Sequence, residues 1–430
     1  DRDGRIVART ARAVFNGGAY AAFKPIPNVN IHGADQAGGV YRIPHFELES
    51  IVTYTNCVPC GHARSPGEPQ MIFAVESHTD MMAHELQMDP AKFRMLNLIG
   101  EGEHLASGHR LERVKARETL ETALRAGGWD DPKRPFVGRG LSMSHRFAGL
   151  GESNARIRIE PDGTVNVITA TPDTGTGAYT VFQQIAAEVL GVPLGQVVVT
   201  PSDTDTIEND AGAGASRVTH VAGQAVYRAA VAMRERIAEE AASRPGASLA
   251  ELAKSAAGRG RPLETEGKFS VSKEDAVTAF CAQVATVEVD QETGQLKFLG
   301  MVTTHDAGTV INPIGHQGQI DGGLIQGMGL ALMEEMRVED GRVSSLSLGD
   351  YKIPVTKDIP PLTTMILEEP AGPGPFQAKS IGEGSISPVP AAIANAIFDA
   401  CGVRITDLPL TAEKIFFALK AREAPDEDSR

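Results

Sequence analysis

Apolar residues along the chain follow two spacings, and glycine, proline and asparagine mark where one gives way to the other. Short apolar or β-branched stretches at residues 5–15 and 51–56 predict strands. From Pro69 to Gln87 the spacing changes, with Met71, Ile72, Val75, Met82 and Leu86 recurring at helical intervals. Ala155 to Ala170 predicts a hairpin turning at Pro161-Asp162-Gly163, and Ala282 to Asp306 another around Glu292-Thr293-Gly294. Thr180 to Leu190 predicts a helix closed by Gly191 with Pro193 beyond it. Three more helices are expected: Gly223 to Ala242, a glycine-punctuated one from Gln319 to Glu335, and Ser387 to Cys401, which Gly402 stops. The elements alternate without the regular spacing of a doubly wound sheet, so the pattern predicts a mixed α+β fold. It breaks most sharply between Gly127 and Lys133, the expected domain boundary, and the acidic stretch 424–430 is expected to fray.

Composition narrows the classes of function. Among 430 residues, 45 glycines and 26 prolines exceed what linkers need and imply tight turns inside an ordered fold. A net charge of −14 argues against nucleic acid as a partner. No apolar run approaches the roughly 18 residues that span a bilayer, and no signal-peptide pattern opens the chain. Cys57, Cys60, Cys281 and Cys401 are too few for a disulfide framework, which favours a reducing, cytoplasmic setting. Asp1 to Ala8 already reads as turn plus strand without an initiator Met, so the chain is expected to begin inside a domain.

Candidate chemistry concentrates in glycine-rich segments. Gly382-Glu383-Gly384 places a carboxylate between two glycines ahead of a helix, where backbone can approach a bulky ligand and the Glu can act as a general base. The helix N-terminus would add N–H groups for an anion. Taken alone, the segment also reads as a turn with a solvated Glu. Ala211 to Thr219 resembles a phosphate or cofactor cradle closed by Arg217 or by backbone N–H groups, but lacks the Gly-Lys-Ser/Thr of a P-loop. Gly175-Thr176-Gly177 and Gln319 to Gly323 are two further cradles. Together they suggest a large anionic ligand bound through backbone. Cys57-Val58-Pro59-Cys60 is a lone pair without a second one, so two packed thiols are expected rather than a metal site. His78 and His84 read as helix-surface residues, and Arg64 as a loop arginine in an ion pair.

In this order the segments resemble the molybdenum-binding subunit of the xanthine dehydrogenase and aldehyde oxidase family. The resemblance begins at Asn16-Gly17-Gly18-Ala19-Tyr20 and runs through Arg64, Gly67, Pro69 and Gln70, which match an Arg-Gly-x-Gly-x-Pro-Gln loop. It continues at Ala215-Ser216, Gly223 to Val226, Gln319 with Gly322, Gln326 to Gly329, Glu334-Glu335 and Tyr351 to Pro354. Gly382-Glu383-Gly384 falls where the family carries its catalytic Glu. The resemblance implies that residues 1–127 are the C-terminal part of a first molybdopterin-binding domain and 128–430 a second. It implies Glu383 as base and Arg64 as the group that stabilises or orients substrate. Gly175, Thr176, Gly177, Gly214, Ala215, Ser216, Gln319 and Gly382 would contact a molybdenum–molybdopterin cofactor, in its simple or its dinucleotide form. The metal would be held through the pterin dithiolene, with no protein ligand. Water would supply oxygen, and electrons would leave through 2Fe-2S and FAD on an iron–sulfur subunit and an FAD subunit. The family's upstream loops are expected from a companion chain.

Departures from the family refine the expectation. Thr176 stands where many members carry a Gln. Pro66, with His145 or Phe147, occupies positions where xanthine-oxidising members place two phenylalanines, which argues against a purine. Ser65 replaces the copper-binding Cys of carbon monoxide dehydrogenases. Small aldehydes or N-heteroaromatics are the expected substrates. The alternatives are a non-catalytic cofactor-holding or assembly subunit, and a reductive dehydroxylase of a phenolic thioester.

Overall fold

The computed structural model describes residues 1–21, 33–203, 205, 210, 212–273 and 275–423. The acidic stretch 424–430, expected to fray, lies outside them. In chain order the first elements are β1 (Ala8–Gly18), β2 (His45–Tyr54), α1 (Glu68–Glu85), α2 (Pro90–Asn97) and α3 (Ala116–Ala126). They are followed by β3 (Val137–Arg146), β4 (Gly151–Ile159), β5 (Val165–Thr169), α4 (Ala178–Leu190) and β6 (Val197–Pro201). Next come α5 (Gly223–Ala242), α6 (Leu249–Gly258), β7 (Glu264–Val271), β8 (Ala279–Val289), β9 (Leu296–Asp306) and α7 (Pro313–Leu332). The last are β10 (Val338–Glu339), β11 (Arg342–Val343), α8 (Leu348–Tyr351), β12 (Leu362–Leu367), α9 (Val389–Cys401) and α10 (Ala412–Glu423).

Two four-stranded sheets organise the molecule, ordered β12-β9-β8-β3 and β6-β5-β4-β7. Both hairpins read from the sequence form, β4 with β5 and β8 with β9. β1 and β2 pair in parallel as a separate two-stranded ribbon. The β4–β7 sheet buries Ile157, Val165 and Val167 against Phe182 and Ile185 of α4 and Val226 and Met233 of α5. The β8–β9 sheet is buried on both faces, as strict alternation requires. Phe280, Ala282 and Val284 share a core with Leu141, Met143, Leu120 and Phe93. Ala285, Val287 and Val289 face Ile393, Ile397 and Leu324. One core therefore runs from α3 across the turn at Gly127 into β3 and β8.

Two glycines in β3 explain how tightly α9 lies on it. A Cβ on Gly138 would sit 2.1 Å from the Ala396 carbonyl oxygen, and one on Gly140 2.0 Å from that of Ala392. The same device presses α7 onto the 385–389 segment, where a Cβ on Gly323 would meet Ser385 Oγ at 1.9 Å. Residues that lower helix propensity thus allow backbones to approach.

α7 begins at Pro313 rather than Gln319. Asn312 caps it by accepting the Gly315 N–H at 3.1 Å, and proline is favoured in the first turn. A buried polar knot fixes α1 to its neighbours. Glu76 accepts from Tyr41 Oη at 2.5 Å, Arg94 Nε at 2.9 Å and the Met143 N–H at 3.0 Å. Both oxygens of a fully buried carboxylate are thereby hydrogen-bonded. The knot ties the middle of α1 to Met143 of β3.

Candidate active site

Glu383 stands where three parts of the chain meet. Its carboxylate accepts from the Ser65 N–H at 3.1 Å, Arg146 Nη2 at 2.5 Å and Ser216 Oγ at 2.9 Å. Only 11% of the side chain remains exposed. A solvated turn glutamate has no such set of donors, so that reading fails. The loop carrying it is pinned on both sides. Lys379 forms a buried ion pair with Asp306 at 2.6 Å, Ser380 Oγ donates to the Arg146 carbonyl at 3.0 Å, and Gln283 donates to the Ser385 carbonyl at 2.7 Å. Burial lowers the Lys379 pKa, with Asp306 opposing the shift. A carboxylate on such a loop is held in one place, as proton transfer requires.

Arg146, the last residue of β3, bridges two acids. Its Nη1 pairs with Glu68, and its Nη2 with Glu383. Burial works against the guanidinium charge, but Glu68 and then Glu383 outweigh it and lift the pKa above its ordinary value. Glu68, buried in the first turn of α1, also accepts from Ser65 Oγ at 2.6 Å and Ser387 Oγ at 3.1 Å. Burial raises its pKa, while Arg146 and Ser65 pull it down.

The helix entry here is built from unusual backbone. Ser65 has φ 58° and Gly67 φ 73°, turning the chain so that Pro69 can sit in the first turn of α1. Among the described residues Arg64 makes no ion pair. Its Nε donates to the Gly382 carbonyl at 2.6 Å, Nη2 to the Gln319 carbonyl at 2.8 Å and Nη1 to Gln326 Oε1 at 3.1 Å. It ties the glutamate loop to α7 from the side. Burial lowers its pKa, and Glu383 opposes that shift.

Ala215 and Ser216 both take left-handed conformations, φ 52° and 54°. Such strain costs about 1–3 kcal/mol per residue and persists where surroundings fix it, commonly at functional sites. Arg217 braces the loop by donating to the Gly212 and Leu150 carbonyls at 3.2 and 3.1 Å. It supports the cradle rather than closing it. A Cβ on Gly212, Gly214 or Gly175 would meet open space. Gly177 lies beside Asn312, about 10 Å along α7 from Gln319 at 1.5 Å per residue. The Gly175 and Gly177 N–H groups donate to Asp173 at 3.0 and 3.1 Å, and Thr176 Oγ1 is buried with no hydrogen-bond partner among the described residues.

Three sequence expectations are corrected. The N-terminus of α9 presents fewer N–H groups to an anion than expected, because Pro388 and Pro390 carry none and Val389 donates to the Ile386 carbonyl. Cys57 is exposed and Cys60 half-buried, so they are not packed thiols. Arg64 binds neutral acceptors, as described above. Sequence reasoning did not find Arg146, Glu68 or Ser387. The available signal was an arginine closing a run of small and apolar residues, Gly140 to Ser144, in a strand that the apolar spacing did not reveal. Its neighbour His145 is 5% exposed and meets Phe147 edge-on at 5.4 Å, and burial pushes its pKa down to about 4.

The site thus combines a held, buried carboxylate with open glycine-lined cradles on two loops. Comparison with known proteins gives the arrangement its class. Two family profiles, each described as a molybdopterin cofactor-binding domain, match residues 1–98 and 114–360. The putative xanthine dehydrogenase molybdenum-binding subunit XdhA of Escherichia coli (strain K12) is 32% identical over 97% of this chain and 60% of its own. The aldehyde oxidoreductase molybdenum-binding subunit PaoC of Escherichia coli O157:H7 is 34% identical over 96% and 65%. Quinoline 2-oxidoreductase from Pseudomonas putida 86 superposes with a TM-score of 0.86 at 28% identity, covering 99% of this chain and 61% of that one. The chain belongs to the molybdenum-binding subunits of the xanthine dehydrogenase and aldehyde oxidase family. It spans about three fifths of the length of the first of these relatives.

The residues present fit that cofactor. The donors around the cradles are hydroxyls, amides and guanidinium groups, suited to a phosphate-bearing pterin. Among the described residues no cluster of three or more His, Cys, Asp or Glu could hold a metal ion. No helix among them is long and apolar enough to cross a membrane.

Proposed function

We propose that this chain carries the catalytic base of a molybdenum-dependent hydroxylase acting on an aldehyde or an N-heteroaromatic C–H bond. The balance is substrate C–H plus water giving C–OH, two electrons and two protons. One observation carries the reading: Glu383, a carboxylate held by an amide, a hydroxyl and a guanidinium beside open cradles. When bound, the molybdenum–molybdopterin group, with its metal on the pterin dithiolene, supplies the two-electron oxidant. Gly214, Ala215 and Ser216 would hold it from one loop, Gly175, Thr176 and Gly177 from another, with Gln319 and Gly382 completing the cradle. Glu383 takes up the proton released as water-derived oxygen joins the substrate carbon. Arg146 supplies the counter-charge that faces the waiting carboxylate.

Arg64 orients the base through the Gly382 carbonyl, and the nearby Glu383 opposes the lowering of the Arg64 pKa by burial. Arg64→Ala should cost about 1.5–3 kcal/mol in kcat/KM, the worth of charge-assisted hydrogen bonds, while cofactor content survives. Unchanged turnover with a lowered Tm would make Arg64 a purely structural clamp.

Electrons pass to 2Fe-2S clusters and FAD on an iron–sulfur subunit and an FAD subunit. The names of the relatives as subunits support this. The test is metal and pterin analysis of the native complex, followed by anaerobic addition of an aldehyde and of an N-heterocycle. Molybdenum with pterin, and bleaching of the flavin and iron–sulfur absorption by one of the two, is the expected result. A complex without molybdenum sinks the proposal.

A further inference from the structure

Glu68 has no part in the chemistry above, yet it touches most of what holds Glu383. Glu68 Oε1 takes Nη1 of the same Arg146 whose Nη2 holds Glu383. Its Oε2 takes the hydroxyl of Ser65, whose N–H is a donor to Glu383. It also takes the hydroxyl of Ser387, four residues beyond Glu383, and the Ser65 and Ser387 hydroxyls lie 2.9 Å apart. Of the three donors to Glu383, only Ser216 Oγ is independent of Glu68.

From this sharing we infer that Glu68 is a positioning residue: by dividing Arg146 between two carboxylates and gripping Ser65 and Ser387, it sets both the place and the counter-charge of the Glu383 carboxylate. The inference rests on the assignment of Glu383 as the base. The physical reason is charge balance. An arginine devoted to one carboxylate stabilises the ionised form and makes it a poor proton acceptor. A second carboxylate on the same guanidinium gives back part of that basicity. The other charged groups near the pair are Arg64, from the loop before α1, and Asp35, from the turn at residues 34–38, which acts on Glu68. His145, next to Arg146, is kept neutral by burial.

The test uses the loaded complex carrying Glu68→Gln, Glu383→Gln or both. In Glu68→Gln, Arg146 belongs to Glu383 alone. The acid limb of the kcat/KM profile should move down by about one pH unit, and the plateau should fall about 3- to 10-fold because the base is weaker. A residue that only supports the fold would lower activity without moving the limb. Coupling is reciprocal, so a second readout needs no turnover. The Glu68 carboxyl, followed by infrared difference against the double variant, should titrate at lower pH in Glu383→Gln than in the wild type. This arm stands even if Glu68→Gln does not fold. An unmoved acid limb in folded Glu68→Gln, or an unmoved Glu68 titration in Glu383→Gln, overturns the inference. Wild-type turnover by Glu383→Gln would instead overturn the assignment of the base, whatever the infrared titration shows.

Discussion

Glu383→Gln should leave a folded, cofactor-loaded protein whose reduction by substrate is slower by about 10²–10⁴-fold, roughly 3–5 kcal/mol. The substitution keeps the volume and one acceptor oxygen, so the Ser65 N–H retains its acceptor while the Ser216 hydroxyl can turn to accept from the new amide. It removes both the negative charge that faces Arg146 and the site at which a proton can be taken up. The fold should tolerate this because Arg146 keeps Glu68 as counter-charge. Molybdenum content, pterin content and Tm should therefore stay near wild type, which separates lost chemistry from lost assembly. Single-turnover reduction under anaerobic conditions is the decisive measurement, since steady-state turnover also reports electron exit through the partner subunits. A fully loaded Gln variant that reduces at the wild-type rate would end the case for Glu383 as base.

Much of the fold was legible because its signals are local. α1, α4 and α5, and the hairpins β4–β5 and β8–β9, each carry apolar spacing with a turn or cap at the end, and each formed near the predicted place. Other elements failed that test for identifiable reasons. β3 reads Val-Gly-Arg-Gly-Leu-Ser-Met-Ser-His-Arg, with glycines where α9 presses on it and polar residues where it faces the site. Neither feature looks like a strand in isolation. α6 announces itself only through its capping box, Ser248 with Glu251, which apolar spacing does not detect. Glu383, Arg64 and Ser216 were visible as glycine-flanked or loop residues that matched a family pattern. Their mutual contacts, across 167 to 318 residues, were not. Arg146 and Glu68 were invisible for the same reason: each becomes functional only when β3 and α1 converge on one loop. Sequence patterns report the face of an element, whereas a charge pair reports where two elements meet.

Removing the shared cation should be the most damaging change to the site's stability, and its pH dependence should reveal why. Arg146→Met keeps length and apolar stem but leaves Glu68 and Glu383 buried without a counter-charge, at a cost of about 3–5 kcal/mol. The sign of the pH effect follows from Glu68. Burial already raises its pKa above the ordinary 4.5, and Arg146 is the largest influence holding it down. Without Arg146 the folded-state pKa rises further. A carboxyl whose folded pKa lies above its unfolded one stabilises the fold while protonated, below the unfolded value, and that contribution is lost as pH rises through the folded pKa. The variant should therefore approach wild-type stability near pH 4.5 and fall steadily behind it toward neutral pH. Denaturant unfolding of both proteins across that range measures the gap directly. A gap that is constant with pH would mean that Arg146 contributes packing rather than charge, and the two carboxylates would then be poised by something else.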